Sequence, residues 1–499
     1  MWRLTSVTLV ACLGLGTFGN ALDSHWQSND YTASVDFASV AASPTISAST
    51  TGDGIRREAV QVRTQAQDLD GMVFSPAAAG RHPAVVFVHG AGTSTWRGLE
   101  RQADHFARSG IVVLVFDKRT VDYSPWHRDY VAMADDTLAG VELLRTRTDV
   151  DLDSIGLFAV SEGAWIAPVA AAKDARISFV VLVSAPVVSP AQQAAYATRM
   201  ALDGIEAPEP ARRAVPKGIS LAISVPSLLD YAEFDVLPWL GRLDQPMLFV
   251  YGTADTAVPL IQAPQLAIDS AASHGNTDVV VRYFAGAQHG IKIDGDFAPG
   301  YLDTVANWIS ATAAGRESLP GPRVAGGQPV QTLSAGEALP VRWFDTAPVH
   351  AAVLCLAVVG YLAGPVASGV ARLRWGSQAP RLSRDRRRML RWLRTLGVAS
   401  LLLLVAFFVG LSHLALNGQT NPVLTYGAWA AVWLTAAGTL MVLASLRADK
   451  GAALAVLGAA DDVVRARMNR VEVVASVGTV MGTILLMFVV TYWGVFIGI

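Results

Sequence analysis

Four long apolar runs in the last third of the 499-residue chain limit its possible folds more than any other feature. Each is long enough for a helix that crosses the hydrocarbon core of a bilayer, which needs about 20 residues. Buried helices of a large soluble domain are the alternative, but four uncharged runs in close succession favour a four-helix all-α transmembrane domain over 349–499. The runs cover 349–371, 395–416, 423–446 and 473–497.

The cations beside these runs predict their orientation. The segment 372–394 carries nine arginines against one acid, Asp385, and 447–470 carries five Lys and Arg, whereas the connection 417–422 is uncharged. Cation-rich loops stay in the cytoplasm, so both of these loops belong on that side. Residues 22–348 then lie on the other side of the membrane.

The N-terminus agrees with this orientation. One arginine precedes an apolar stretch of about 15 residues, and the small residues Gly19 and Ala21 then follow, as in a secretory signal peptide over 1–21. An uncleaved anchor is the alternative. We expect a multi-pass protein of a bacterial cytoplasmic membrane, with its N-terminal region on the periplasmic side. The chain has two cysteines, Cys12 in the predicted signal peptide and Cys355 in the first apolar run. Residues 22–348 therefore contain no cysteine for a disulfide or a metal site.

Residues 55–315 show the pattern of an α/β domain. Short β-branched runs are typical of strands buried on both faces, and helical patterns separate them. This alternation predicts a doubly wound, mostly parallel sheet with helices on both faces, preceded by an antiparallel hairpin at 57–76. The runs are AVVFVHG (84–90), IVVLVFD (111–117), SIGLFAV (154–160), ISFVVLVSA (177–185), PMLFVYG (246–252) and DVVVRYF (278–284).

Three segments depart from this pattern. Residues 22–54 are rich in Ser, Thr, Ala and Gly and are interpreted as a flexible leader. Residues 186–243 separate two strands by far more than an ordinary connection, so we expect an inserted helical cap over the strand ends. Residues 316–348 have prolines and glycines without a clear period, which indicates a linker to the membrane domain.

Charge and spacing exclude two kinds of site in the region before the membrane domain. Residues 22–348 carry 24 Lys and Arg against 36 Asp and Glu, a net charge of −12. Because an acidic domain repels phosphate backbones, nucleic acid is not expected as a partner. The sequence has no His, Asp and Glu cluster at metal-ligand spacing, so no metal and no cofactor are expected.

A serine stands at the end of one predicted strand. Ser161 follows SIGLFAV and precedes the helical pattern EGAWIAPVAAA. In the nucleophile elbow G-x-S-x-G, a strained turn between strand and helix lifts the serine hydroxyl above the sheet. Here the pattern runs from Ala159 to Gly163, with alanine in the first place. Ser161 is therefore a candidate nucleophile, and the alternative is an ordinary helix cap.

An acid and a base follow at later strand ends, in the order that this arrangement requires. Asp255 comes after PMLFVYG, and His289 comes after DVVVRYF. His289 would take the proton of Ser161, and Asp255 would orient the imidazole. The competing residues are Asp230, Asp235 and Asp244 for the acid and His274 for the base.

The oxyanion hole needs two backbone N–H groups near the nucleophile. Glu162 supplies one at the start of the helix, and the turn His89-Gly90-Ala91-Gly92 supplies the other, from Ala91 or alternatively from Gly92. His89 is expected to support this turn. The Glu162 side chain is expected in solvent or complementing the helix dipole, although it could steer charged substrates.

With these motifs in order, the chain resembles the α/β-hydrolase superfamily, specifically dienelactone hydrolases and the catalytic domains of prolyl-oligopeptidase-like peptidases. The resemblance covers about 57–313 and rests on HGAG, SGIVVLVFDKR, SIGLFAVSEGAWIAPVAA, GTADTAVP and GAQHG. Three positions depart from the usual pattern, Ala159, Val160 and Ala164. The resemblance implies hydrolysis of an ester, thioester or amide through an acyl-enzyme, without a cofactor.

The sequence therefore favours a membrane-tethered serine hydrolase that acts on a small ester or acyl substrate; protein partners are not predicted. A peptidase of the prolyl-oligopeptidase-like type is one alternative. The other is a non-catalytic ectodomain that binds a ligand and signals through the helices. Aromatic residues of the insertion could line an acyl pocket or pack in the core, and Arg119 could bind a substrate carboxylate or form a structural ion pair. Those aromatic residues are Tyr196, Tyr231, Phe234 and Trp239.

Overall fold

The computed structural model divides the protein into two compact units. The sheet unit comprises Ser28–Ala197 and Pro226–Glu337, and the helical unit comprises Met1–Gln27, Thr198–Val225 and Ala338–Ile499. The structure describes residues 11, 12, 14, 15, 54–315, 322–337, 342–379, 381–448 and 470–495. The predicted leader, apart from Gly54, and most of the predicted signal peptide lie outside the described residues.

The sheet unit contains the predicted strands in one nine-stranded sheet. The strands, whose bounds follow, lie in the order β1-β2-β4-β3-β5-β6-β7-β8-β11. Strand β2 runs antiparallel to both of its neighbours, β1 and β4. All neighbouring strands from β4 to β11 are parallel. The strands are β1 (Ile55–Arg63), β2 (Asp68–Pro76), β3 (His82–Val88), β4 (Val112–Phe116), β5 (Val150–Val160), β6 (Val180–Val183), β7 (Met247–Gly252), β8 (Val279–Phe284) and β11 (Val324–Gly326), with a separate hairpin of β9 (Lys292–Ile293) and β10 (Asp296–Phe297).

Helices cover both faces of this sheet, because alternate residues of each buried strand point to opposite faces. In β3, Val86 and Val88 pack on one face with the helices that begin at Tyr130, Gly163 and Gln262, and Val85 and Phe87 pack on the other face with those that begin at Glu100 and Tyr301. The predicted α/β class is confirmed. The helices, including those of the insertion, are α1 (Glu100–Arg108), α2 (Tyr130–Arg145), α3 (Gly163–Lys173), α4 (Pro190–Gly204), α5 (Glu209–Ile223), α6 (Leu237–Leu240), α7 (Gln262–Ser273) and α8 (Tyr301–Ala313), with a 3₁₀ turn at Trp96–Leu99.

The segment interpreted as a linker also contributes to the sheet. Residues Val324–Gly326 form β11, which pairs in parallel with β8. The buried guanidinium of Arg282 in β8 donates to the carbonyl oxygens of Pro322 and Arg323, at 3.1 and 3.0 Å. Strand β11 therefore covers an edge of the sheet that would otherwise be unpaired. This strand could not be predicted from the sequence, because three residues are too few to show a periodic pattern.

The helical unit contains four helices that are long and apolar enough to cross a membrane. These candidate spans are Ala347–Gln378, Arg384–Ala415, Val423–Leu443 and Arg470–Tyr492, and each overlaps one of the four runs predicted from the sequence. The helices that form them are α9 (Ala347–Trp375), α10 (Arg384–Asn417), α11 (Ala428–Ala448) and α12 (Arg470–Tyr492), with 3₁₀ turns at Trp343–Asp345 and Gly376–Gln378 and a π-helical turn at Val423–Gly427.

Part of the insertion between β6 and β7 belongs to the helical unit. Leu202, Ile205 and Ala211 are buried in one apolar cluster with residues of α10 and α11, among them Leu411 and Val432. The end of α4 and all of α5 therefore belong to the helical unit, and Leu202, Ile205 and Ala211 pack against its apolar helices. The interpretation of 186–243 as a cap over the strand ends stays a prediction.

This packing predicts how an isolated sheet unit would behave. A fragment of residues 54–337 keeps the insertion but lacks the helices that bury Leu202 and Ile205, so it exposes a contiguous apolar patch. We expect this fragment to aggregate without detergent and to bind the dye ANS. Leu202→Gln with Ile205→Gln should reduce dye binding by the fragment but lower the melting temperature of the full chain. A monomeric fragment that binds no dye would contradict the packing.

Candidate active site

Ser161 occupies a strained turn between β5 and α3. Its φ is +55°, in the left-handed region that residues other than glycine seldom adopt. Its N–H donates to the carbonyl oxygen of Val183 at 2.8 Å, and its own carbonyl oxygen accepts from Ala164 at 2.9 Å. The structure therefore has the strand, sharp turn and helix that the sequence predicted around this serine.

Small residues let three backbone segments meet at this turn. A Cβ on Gly163 would lie 2.7 Å from the carbonyl oxygen of Val88, which is too close for any side chain. A Cβ on Gly90 would lie 3.4 Å from the Cβ of Ser161. The glycine-rich turn after β3 thus lies directly beside the candidate nucleophile. Ala159, which replaces the usual glycine, is buried in β5 and pairs with both neighbouring strands.

Asp255 and His289 are hydrogen-bonded to each other. Asp255 follows β7, and its Oδ2 accepts from Nδ1 of His289, which follows β8, at 2.9 Å. Its Oδ1 accepts from the N–H of Ala257 at 2.8 Å, and the carboxylate is fully buried. Burial acts to lower the pKa of His289, but the hydrogen bond and charge of Asp255 outweigh it and raise this pKa above its ordinary value. With Nδ1 donating, Nε2 carries the lone pair of the neutral ring.

The loop that carries His289 turns back from β8 towards β6. Its Ala287 carbonyl oxygen accepts from the N–H of Ala254 at 2.9 Å, and the N–H of Gly290 donates to Oγ of Ser184 at 3.1 Å. Ser184 directly follows β6, the strand that pairs with β5. The loop therefore reaches the strand next to Ser161. Within the described residues, no hydrogen bond joins Ser161 to His289 itself; apo sites often lack this contact.

Within the described part of the chain, the N–H groups of Ala91 and Glu162 have no acceptor. The N–H of Gly92 donates to the hydroxyl of Tyr123 at 2.8 Å, which favours Ala91 over Gly92 as an oxyanion donor. Nε2 of His89 donates to the carbonyl oxygen of Phe116 at 2.7 Å. Burial lowers the pKa of His89 to about 4, so the ring is neutral and supports the turn as expected.

The side chain of Glu162 differs from its prediction. It is buried rather than solvated and accepts from Lys118, from Nη1 of Arg128 at 2.5 Å and from the hydroxyl of Tyr123 at 2.9 Å. Two cations thus neutralise one carboxylate beneath the turn. Lys118, Tyr123 and Arg128 were not among the site residues predicted from the sequence. A signal did exist, because Lys118 comes at the carboxyl end of β4, where parallel sheets place their sites.

Arg119 forms the structural ion pair that was one of its two interpretations. Its guanidinium donates to both oxygens of Asp136, at 2.5 and 2.6 Å, and both side chains are buried. This bidentate pair holds the Arg119 guanidinium against Asp136 of α2, so the guanidinium is not directed at a substrate.

The competing acids and base have other partners or lie in solvent. Asp230 pairs with His127, and Asp235 accepts from the N–H of Leu237 at 2.9 Å. Asp244 is exposed, and the exposed His274 follows α7, where its Nδ1 lies 3.0 Å from the carbonyl oxygen of Ser270. Of the candidates, the structure brings together only Asp255 and His289.

The aromatic residues of the insertion belong mainly to the core. Phe234 packs edge-on against Tyr130 at 5.0 Å between ring centroids, and Tyr231 does so at 5.9 Å. Tyr130 in turn stacks on Trp165 of α3 at 5.5 Å. Two further aromatic residues, Tyr196 and Trp239, are buried and partly buried. The contacts of Tyr231 and Phe234 therefore favour core packing over an acyl pocket.

Comparison with known proteins agrees with the resemblance inferred from the motifs. Residues 139–295 match the family described as BAAT / Acyl-CoA thioester hydrolase C terminal, a stretch that includes Ser161, Asp255 and His289. This match covers less than half of the chain and agrees with the resemblance to α/β-hydrolases. The curated proteins include no match to the chain.

Solved structures similar to the chain include three hydrolases. One is a 2,6-dihydroxy-pseudo-oxynicotine hydrolase, with 17% identity over 55% of this chain and 72% of that chain and a TM-score of 0.39. Another is the acylaminoacyl peptidase of Pyrococcus horikoshii, with 15% identity over 54% and 43% and a TM-score of 0.39. The third is an esterase of Pyrobaculum calidifontis, with 19% identity over 52% and 85% and a TM-score of 0.38.

Proposed function

We propose that this chain is a membrane-tethered serine hydrolase that cleaves an ester or thioester through an acyl-enzyme. The observation that carries the proposal is the buried Asp255 carboxylate bonded to Nδ1 of His289, with Ser161 in a left-handed turn on the same sheet edge. A domain that only binds a ligand has no physical need of such a pair, since burying a carboxylate against a histidine is costly. The family match to thioester hydrolases supports acyl transfer.

The mechanism assigns one task to each residue. Nε2 of His289 takes the hydroxyl proton of Ser161 as Oγ attacks the substrate carbonyl carbon, and the carbonyl oxygen becomes an oxyanion. The N–H groups of Ala91 and Glu162 donate to that oxyanion. His289 then gives its proton to the leaving group, and water releases the acyl group by the same steps. Asp255 stays ionised and stabilises the imidazolium.

The orientation of the chain is part of this proposal, and contacts within the helical unit support it. Oγ of Ser224 accepts from the N–H of Ala347 at the start of the first span, at 2.9 Å. Nζ of Lys217 donates to the carbonyl oxygen of Tyr492 at the end of the fourth span, at 3.1 Å. The insertion thus contacts the span ends opposite the arginine-rich loops. Because these loops stay in the cytoplasm, the hydrolase lies on the extracytoplasmic side.

Labelling with a fluorophosphonate tests the proposal. We expect the full-length protein in detergent to be labelled at one residue, Ser161, as mapped by peptide mass spectrometry. His289 accepts the proton only when neutral, and its pKa is raised, so the labelling rate should rise with pH through a midpoint above the ordinary histidine value of about 6.5. Folded protein that is not labelled at any pH would sink the proposal, and labelling of another serine would reassign the nucleophile.

A further inference from the structure

The glycine-rich turn beside Ser161 contacts a cluster of polar side chains, the buried Lys118 and Glu162 and the partly buried Tyr123 and Arg128. We propose that Tyr123 and Lys118 are positioning residues, which orient the N–H of Ala91 towards the oxyanion. This inference rests on the proposed hydrolase function, and it adds two residues that touch neither substrate nor nucleophile.

Both ends of the turn are fixed by this cluster. Nζ of Lys118 donates to the carbonyl oxygen of Gly90 at 2.6 Å, and the hydroxyl of Tyr123 accepts the N–H of Gly92 at 2.8 Å. These two bonds hold the peptide groups on either side of Ala91. Since Gly92 has a φ of +95°, its flexible backbone would otherwise allow the turn several conformations.

The cluster is joined to the elbow through Glu162. The hydroxyl of Tyr123 donates to Oε2 of Glu162 at 2.9 Å, and Lys118 donates both to Glu162 and, at 3.1 Å, to the hydroxyl of Tyr123. Glu162 directly follows Ser161, and its own N–H is the second proposed oxyanion donor. One hydrogen-bond network thus links the turn that carries Ala91 to the turn that carries Glu162.

Packing alone does not account for these charged groups. The side chains of Lys118 and Glu162 are 5% and 1% exposed, and apolar residues of similar volume would fill this space without the cost of desolvating charges. Burial lowers the pKa of Lys118, although Glu162 opposes this shift. Apolar residues could not make the two hydrogen bonds to the turn, that of Lys118 to the carbonyl oxygen of Gly90 and that of Tyr123 with the N–H of Gly92.

Oxyanion stabilisation depends steeply on where the donor points. Loss of the Tyr123 hydroxyl leaves the N–H of Gly92 without its acceptor and frees one end of the turn. The N–H of Ala91 then spends less time aligned with the oxyanion, which forms only as the serine attacks the substrate and is absent from the bound ground state. The expected consequence is a lower kcat with an almost unchanged KM.

Tyr123→Phe in the full-length protein tests this inference. We expect kcat for p-nitrophenyl esters to fall about ten- to a hundredfold, with KM changed less than about threefold. Binding of a trifluoromethyl ketone, which forms a tetrahedral adduct with the serine, should weaken by the same factor as kcat/KM. Lys118→Arg, which keeps the charge but changes the geometry at Gly90, should act in the same direction.

Tyr283→Phe is the control, because it removes a tyrosine hydroxyl whose hydrogen bond lies outside the glycine-rich turn; this hydroxyl donates to the carbonyl oxygen of Leu260 at 2.6 Å. Its kcat should stay near that of the wild type. A Tyr123→Phe protein with wild-type kcat and ketone affinity, or with only a raised KM, would overturn the inference. The first measurement establishes that the wild type hydrolyses esters and that this turnover requires Ser161. If the proposed function is wrong, the wild type itself shows no such activity, and this outcome differs from failure of the inference about Tyr123.

Discussion

Ser161→Ala should abolish ester hydrolysis by the full-length protein in detergent. Removing a triad nucleophile lowers kcat by about 10³- to 10⁶-fold, because the base then has no hydroxyl to activate and only the oxyanion hole remains. The structure gives this serine a strained backbone, which is common at functional sites. The measurement is turnover of p-nitrophenyl esters from acetyl to decanoyl, in which the preferred chain length of the wild type also indicates the size of the acyl pocket.

Ser178→Ala is the control for this experiment. Ser178 precedes β6 at the opposite edge of the sheet, and its hydroxyl donates to the carbonyl oxygen of Ile155 at 3.1 Å. Its replacement removes a partly buried serine hydroxyl together with this hydrogen bond but should leave turnover intact. If Ser161→Ala retains more than about a tenth of wild-type activity while it remains folded, Ser161 is not the nucleophile.

Local patterns account for what the sequence predicted well. The membrane helices follow from uncharged runs, and each buried strand follows from a short β-branched run, so neither depends on distant residues. The order of Ser161, Asp255 and His289 at strand ends was sufficient to expect them at one edge of a parallel sheet. The bond between Asp255 and His289 agrees with that expectation.

Features that depend on distant partners were not predictable. Glu162 was expected in solvent or complementing the helix dipole, whereas its partners Lys118 and Arg128 lie 44 and 34 residues away in the sequence. The insertion showed helical pieces, but only the structure shows that residues 198–225 belong to the helical unit, where Leu202 and Ile205 are buried with residues of α10 and α11. In both places, tertiary contacts rather than local pattern determine the environment.

Asp255→Asn should lower kcat by about 10⁴-fold while the fold is kept. The N–H of Ala257 donates to Oδ1 of Asp255, so the amide oxygen of an asparagine would stay at that position and its NH₂ would face His289. Nδ1 of His289 must then accept a hydrogen bond, which moves the ring proton to Nε2. Because a protonated Nε2 cannot take the proton of Ser161, the base is lost without any change in shape.

Asp235→Asn separates this effect from a general loss of a carboxylate. Asp235 also accepts from the N–H two residues ahead, that of Leu237 at 2.9 Å, but it has no histidine partner among the described contacts. We expect its kcat to match that of the wild type, and both variants to show similar melting curves. An Asp255→Asn protein within tenfold of wild-type kcat would mean that the pair of Asp255 and His289 is structural.

Because the carboxylate also raises the pKa of His289, any residual activity of Asp255→Asn should persist to lower pH than that of the wild type.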